Sequence, residues 1–237
     1  MLISVLLMTA TLVAACAGGA APPTPHPAYT PLAVDPANFV AAIDNPYSPL
    51  TPGTMMAFEG ATSEGNERVE TYVTQDTKRI LGVDCIVVRD RVLVDGELVE
   101  ETLDWYAQDK SGNVWYFGED SREYEEGALV STKGSWEAGV DAAMAGIIMP
   151  SSPQVGDSYQ QEYYAGEGED MAKVVSLTES AAVPYGSFDN LLMTEEWTPL
   201  EPGLLEHKYY AQGVGLVLEV MVQGGSGRVE LAAITTD

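Results

Sequence analysis

The sequence predicts a mainly β fold, an antiparallel β-barrel or half-barrel built from two related β units, and three observations predict it. Strand-like runs follow one another from about residue 45 to the C-terminus, turn dipeptides separate them, and one series of landmarks occurs twice. The alternative is a two-sheet sandwich with its aromatics packed in a solid core.

The runs come first. "RVETYVTQ", "RILGVDCIVVRDRVLV", "LVEETLDWYAQ" and "NVWYFGED" alternate or run apolar and are rich in β-branched and aromatic residues. Asp95-Gly96, Ser111-Gly112-Asn113 and Glu126-Gly127 lie between them, and Gly and Asn accept the positive φ of tight hairpins. No stretch sustains a helical period with caps at both ends. "PANFVAAID" (Pro36 to Asp44) is the best helix candidate, as a short turn where the domain begins.

The repeat comes second. "WYAQ" at Trp105 and "YYAQ" at Tyr209 precede apolar runs, and the span from Gly53 to Trp105 is one residue shorter than that from Gly156 to Tyr209. Between these landmarks "LGVDCIVV" (Leu81 to Val88) matches "YGSFDNLLM" (Tyr185 to Met193). The units run from about 45 to 120 and from about 150 to 225, joined by a connecting segment at 121–149. Two like antiparallel sheets fuse into one curved sheet or closed barrel, which removes exposed edges.

Ahead of the single β domain at 45–237, residues 1–15 read as a lipoprotein signal peptide and 16–44 as an Ala/Gly/Pro-rich tether. "LVAAC" resembles the lipobox of bacterial lipoproteins, which implies lipidation of Cys16 and a protein exported and anchored to a bacterial membrane, on its periplasmic or extracellular face. Ala17 stands where an inner-membrane retention signal would place Asp, which hints at an outer membrane. No Lys or Arg precedes the apolar run, which points to a start upstream. Pro-rich chain extends by about 3.1 Å per residue, so the tether is a spacer.

The chain has 36 acidic against 11 basic residues, a formal net charge of −25. Such a charge repels nucleic acid and anionic lipid surfaces and makes both poor candidates as partners, so no nucleic-acid partner is expected. It suits a solvated acidic surface, bound cations, or a cationic partner. With Cys16 committed to lipid, Cys85 remains as a single thiol inside the apolar "VDCIVV", where a buried inert thiol is expected. His26 lies in the tether, and His207 sits between Glu206 and Lys208 on a strand, where a solvated or structurally paired imidazole is expected. No hydrolase, zinc, phosphate-loop or CxxC motif is present, so no catalytic residue is assigned and a non-enzymatic role is expected.

Two candidate sites follow. Glu167, Glu169 and Asp170 in the Gly-rich "AGEGEDMA" could fold round a hard cation, with Ca²⁺ the one cofactor weighed. "GSWEAGVDAAMAGIIMP" (Gly134 to Pro150) reads either as a cap on the core or as an apolar lid across a barrel mouth. In the second case a ligand site would lie among Trp105, Trp115, Trp136, Met149, Trp197 and Tyr209.

"DNPYSPLTPGT", "DWYAQDKSGNVWYFGED", "GSWEAGVDAAMAGIIMP" and "YGSFDNLLMTEEWTPLEPG" together resemble a family of bacterial lipoproteins of uncharacterised function. The resemblance implies a secreted, lipid-anchored, mostly β protein and carries no site residues. "YYAQGVGLV" separately looks like the endings of periplasmic β proteins with lipoprotein-carrier-like half-barrels. The expected role is binding or carrying an apolar or amphipathic small molecule in a β cavity. The alternative is a structural or interaction lipoprotein of the cell envelope, working through an acidic, cation-binding surface towards another envelope protein.

Overall fold

A computed structural model of the protein describes residues 32–237. The signal segment, Cys16 and most of the tether lie outside the described residues. Alternation of buried and solvent-facing residues builds each strand. Along β3 (Asn66–Ile80), Glu67, Val69, Thr71 and Val73 are buried while Arg68, Glu70 and Tyr72 are half-exposed. β2 (Thr54–Thr62), β4 (Val83–Val94), β5 (Glu97–Asp109) and β6 (Val114–Glu125) complete a meander with β3. Its hairpins turn at Leu81-Gly82 and at Asp95-Gly96, and both residues of each pair have positive φ (48° and 86°, 48° and 89°). That backbone twist matches the twist of the flanking strands.

The chain then returns along β6 in three pieces: β7 (Ala128–Ser131), β8 (Trp136–Glu137) and β9 (Met144–Met149). The segment 134–150 is therefore not a lid. It supplies β8 and β9, both paired with β6, with a turn at 138–143 between them.

The second half runs through β10 (Ser158–Gln160), β11 (Glu162–Tyr163), β12 (Met171–Val183), β13 (Gly186–Trp197), β14 (Leu205–Ala211), β15 (Gly215–Gln223) and β16 (Gly227–Thr236). It repeats local features of the first. Gly53 N–H donates to the Val73 carbonyl at 2.8 Å, and Gly156 N–H to the Val174 carbonyl at 2.9 Å. The Trp105 and Tyr209 strands, β5 and β14, each lie between the strand of the Gly-turn landmark and the next strand on.

β16 pairs with β2, with Leu231 opposite Phe58, and joins the two halves. The far edges meet at a seam where the single stretch 158–163 serves both sides. Its first half pairs with β12 and its second with β9. Gly146 permits this approach, because a Cβ there would collide with the carbonyl of Gln161. The result is a nearly closed antiparallel barrel of thirteen strands, not a sandwich.

The expected helix at Pro36–Asp44 is a 3-10 turn at Pro36–Asn38, capped by Asp35 and followed by β1 (Phe39–Val40). β1 pairs with β5, and the Phe39 ring packs edge-on against Trp115 and Phe117 at 5.4 and 5.6 Å. Residues 34–40, within the expected tether, thus lie against the outer wall. That cover explains why Val114 to Gly118 is buried on both faces.

The segment Ile43–Leu50 closes one end of the barrel. Asp44 and Asn45 N–H groups donate to Gln108 Oε1 at 2.9 Å each, and Asn45 Nδ2 donates to the Gly112 and Pro150 carbonyls at 2.8 and 3.1 Å. Beneath it the interior is apolar and nearly full. Val69, Val73, Leu192 and Leu231 are fully buried there, and Leu50, Met56, Phe58, Tyr106 and Tyr210 line a remaining gap of about 50 Å³.

Candidate functional site

The opposite end of the barrel, where the β2–β3, β4–β5 and β15–β16 hairpins turn, is open. It holds a cavity of about 390 Å³. Strand alternation decides what faces the barrel interior at this end, whether lining the cavity or buried beneath it. On β5 the residues sharing the inward face with Tyr106 and Gln108 are Glu100, Thr102 and Asp104. A bulge in β6 places Tyr116 opposite Tyr106 and Glu119 opposite Asp104, so both point inward. From the other half come Thr194 and Glu196 on β13, Glu206 and Lys208 on β14, and Glu219 on β15.

The two walls differ in charge. On one, Lys208 is 3 % exposed and its Nζ lies 3.2 Å from Glu196, 3.5 Å from Glu219 and 3.7 Å from Glu206. Burial alone would lower the amine's pKa; the three carboxylates outweigh it and hold the pKa above the ordinary lysine value. Glu196 is further fixed by the Thr194 hydroxyl at 2.7 Å, the Tyr210 hydroxyl at 3.0 Å and Gln161 Nε2 at 3.3 Å.

On the other wall, neutral donors meet the acids. The Tyr116 hydroxyl donates to Asp104 at 2.7 Å, the Thr102 hydroxyl to Asp104 at 2.9 Å, and Trp136 Nε1 to Glu162 at 2.9 Å. Among the described residues no Lys or Arg forms an ion pair with Glu100, Asp104, Glu119 or Glu162. Burial, reinforced by Asp104, pushes Glu100 up to about 8. Burial and neighbouring acids raise Glu119 and Glu162 well above the usual carboxylate range. Asp170, at the cavity edge, is pushed up to about 6, mainly by burial. Trp197, Leu200, Leu204 and Met221 add apolar surface beside these acids.

The expected aromatic cluster does not assemble. Trp197 lines the cavity. Trp136 is buried beside it, held by Glu162 and edge-on to Tyr116 at 5.3 Å. Met149 is fully buried in the core. Trp105 faces outward with Lys78 Nζ 3.2 Å from its ring centroid, and Trp115 lies under Phe39 with Nε1 donating to Asp109 at 3.0 Å. Tyr209 is also on the outer face, its ring 6.4 Å from His207, which is itself 3.7 Å from Glu195. The reason is the period of two: Trp105 and Tyr209 each neighbour an inward tyrosine, Tyr106 and Tyr210, and so point the other way.

Glu167 and Asp170 line the cavity, but Glu169 turns back to accept from Gly166 N–H at 2.9 Å. The three do not converge, and among the described residues no group of three or more His, Cys, Asp or Glu is arranged to hold a metal ion. Cys85 is buried, and burial pushes its thiol up to about 12. The candidate-site residues missed from the sequence are the inward carboxylates. Their signal was present in "VEETLDWYAQ", where Glu100, Thr102 and Asp104 fall in phase with Tyr106.

No protein-family model matches the chain, and no curated protein matches it significantly. Among solved structures, the chain is similar to one described as a "putative lipoprotein" from Parabacteroides distasonis ATCC 8503. The two share 13% identity with a TM-score of 0.44 over 80% of this chain and 98% of the other.

Proposed function

We propose that this is a lipid-anchored binding protein of the cell envelope whose half-filled barrel holds a small amphipathic cation. The carrying observation is the cavity of about 390 Å³, walled by Glu119, Glu162, Glu196 and Glu206 beside Trp197 and Leu204. Its volume lies within the range of small-molecule sites, roughly 300–1,000 Å³. An ammonium group would pair with Glu119 and Glu162, which no Lys or Arg among the described residues pairs with, and an alkyl portion would cover the apolar wall. A purely apolar ligand fits less well, because the apolar half of the barrel is already filled by side chains. Anchoring through Cys16 is supported by the "LVAAC" pattern at the end of an apolar leader.

The test is calorimetric titration with spermidine, octylamine and octanol, alongside native mass spectrometry of protein purified from its own envelope. The amines are expected to bind and octanol not to, with Glu162→Gln weakening the amines about tenfold. Binding of octanol alone, or of none of the three, would overturn the proposal.

A second reading draws on the same carboxyls, since two acids of raised pKa facing one cavity are the parts of a general acid and base. Turnover of nitrophenyl glycosides or esters that disappears in Glu119→Gln would favour hydrolysis over binding.

A further inference from the structure

The return along β6 leaves one strand edge open. β7 pairs with β6 on one side, with Ser131 opposite Glu123 and Leu129 opposite Tyr124, and among the described residues nothing pairs with its other side. An unpaired edge presents a row of N–H and C=O groups to any extended chain. This edge is also apolar: Leu129 is 54 % and Val130 50 % exposed. It lies on the rim of the acidic cavity, which Glu123 on β6 and Lys133, two residues beyond β7, both line.

We propose that β7 docks an extended, basic segment of a partner protein by strand addition, with Lys or Arg side chains directed to the cavity mouth. The inference rests on the acidic mouth being the binding end. Charge selects the occupant. Glu123, Glu125 and Glu126 flank the edge, and the chain carries a formal net charge of −25, so a second copy would bring like charge against like. Val130 is the bulged residue of the β6–β7 pair, a further obstacle to edge-to-edge pairing with a copy. A segment alternating basic and apolar residues meets the acidic cavity mouth with its charges and the exposed Leu129 and Val130 with its apolar residues.

The probe is a fluorescein-labelled acetyl-(Lys-Val)3-amide peptide, read by anisotropy against the full-length protein, with (Glu-Val)3 as control. The basic peptide is expected to bind and the acidic one not to. Leu129→Glu/Val130→Glu adds two attractive charges but removes the apolar contact at exposed positions. The expected result is at least tenfold weaker binding, whereas equal or tighter binding would show mere electrostatic attraction and overturn the proposal. Val130→Pro removes an N–H at the bulge and serves as the second variant; it too should weaken binding. Spermidine titration of the same variants separates the two proposals. Spermidine affinity should persist when peptide affinity is lost, and a wild type that binds peptide but not spermidine would fail the cavity reading alone. A wild-type dimer in size-exclusion chromatography that Leu129→Glu/Val130→Glu dissolves would assign the edge to a second copy and overturn the proposal.

Discussion

Asp104 and Lys208 hold corresponding positions in the two half-barrels: each points inward two residues before an inward tyrosine, Tyr106 or Tyr210, on equivalent strands. One half has an acid where the other has its cation. The barrel interior therefore carries one wall of balanced charge and one wall of acids held by neutral donors.

Lys208→Met should be strongly destabilising at neutral pH. It leaves Glu196, Glu206 and Glu219 buried without their cation, and removing one partner of such a group costs about 3–5 kcal/mol. Urea unfolding at pH 7.5 measures the loss. At pH 5, where raised carboxyls take up protons, the gap between variant and wild type should narrow.

Stability should fall as pH rises. Glu100 and Glu219 titrate at about 8 in the fold and near their ordinary value unfolded, so the folded state binds more protons between roughly pH 4.5 and 8. The unfolded chain then ionises first, and folding weakens across that window before levelling above it. Lys208 contributes in the same direction, but only in alkali: its pKa is raised, so its stabilisation is complete below the ordinary lysine value and is lost as pH rises through the raised one. Melting temperature against pH checks the slope, and Glu100→Gln should flatten it and stabilise the protein at pH 8 by a few kcal/mol, on the order set by such shifts.

Asn45→Ala should loosen the closed end. Asn45 spans three pieces of chain, donating to the Gly112 and Pro150 carbonyls and accepting from Tyr47 N–H at 2.9 Å. Loss of these buried bonds is expected to cost about 2–3 kcal/mol. Hydrogen exchange should quicken at Asp44, Asn45 and Tyr47 while β12 and β13 stay protected; unchanged exchange there would contradict the plug.

Cys85 should stay silent to thiol reagents until the barrel unfolds, because its thiol is buried and its thiolate is disfavoured. Labelling with Ellman's reagent at pH 8 should therefore track global unfolding in urea. A fast reaction in buffer would mean a breathing hairpin at β3–β4.

Much of the barrel was legible because hairpins are local. Asp95-Gly96 turns as its composition requires, and Gly53 and Gly156 make the same bond in each half. The candidate site was hidden because β5 mixes polar and apolar residues on both faces: Glu101, Leu103, Trp105 and Ala107 on one, Glu100, Thr102, Asp104 and Tyr106 on the other. Alternation alone does not say which face is inside, and large aromatics drew attention to the outer one. Trp105 is covered there by Lys78, itself 2.8 Å from Glu137, a contact between segments far apart in the chain. The long connection was misread for a similar reason, since "GIIM" gives no local sign that β6 has room for another neighbour.

The β2–β16 junction sets an order on folding. Phe58 and Leu231 come together only after nearly the whole domain has been made, because β16 is the last strand of the chain and β2 the first of the meander. Each half can form its own hairpins early, but the ring waits for its final ten residues. Pairings so distant in sequence make for slow assembly. Until then the chain exposes two long acidic, half-apolar sheets, and truncation within β16 should leave both halves unjoined.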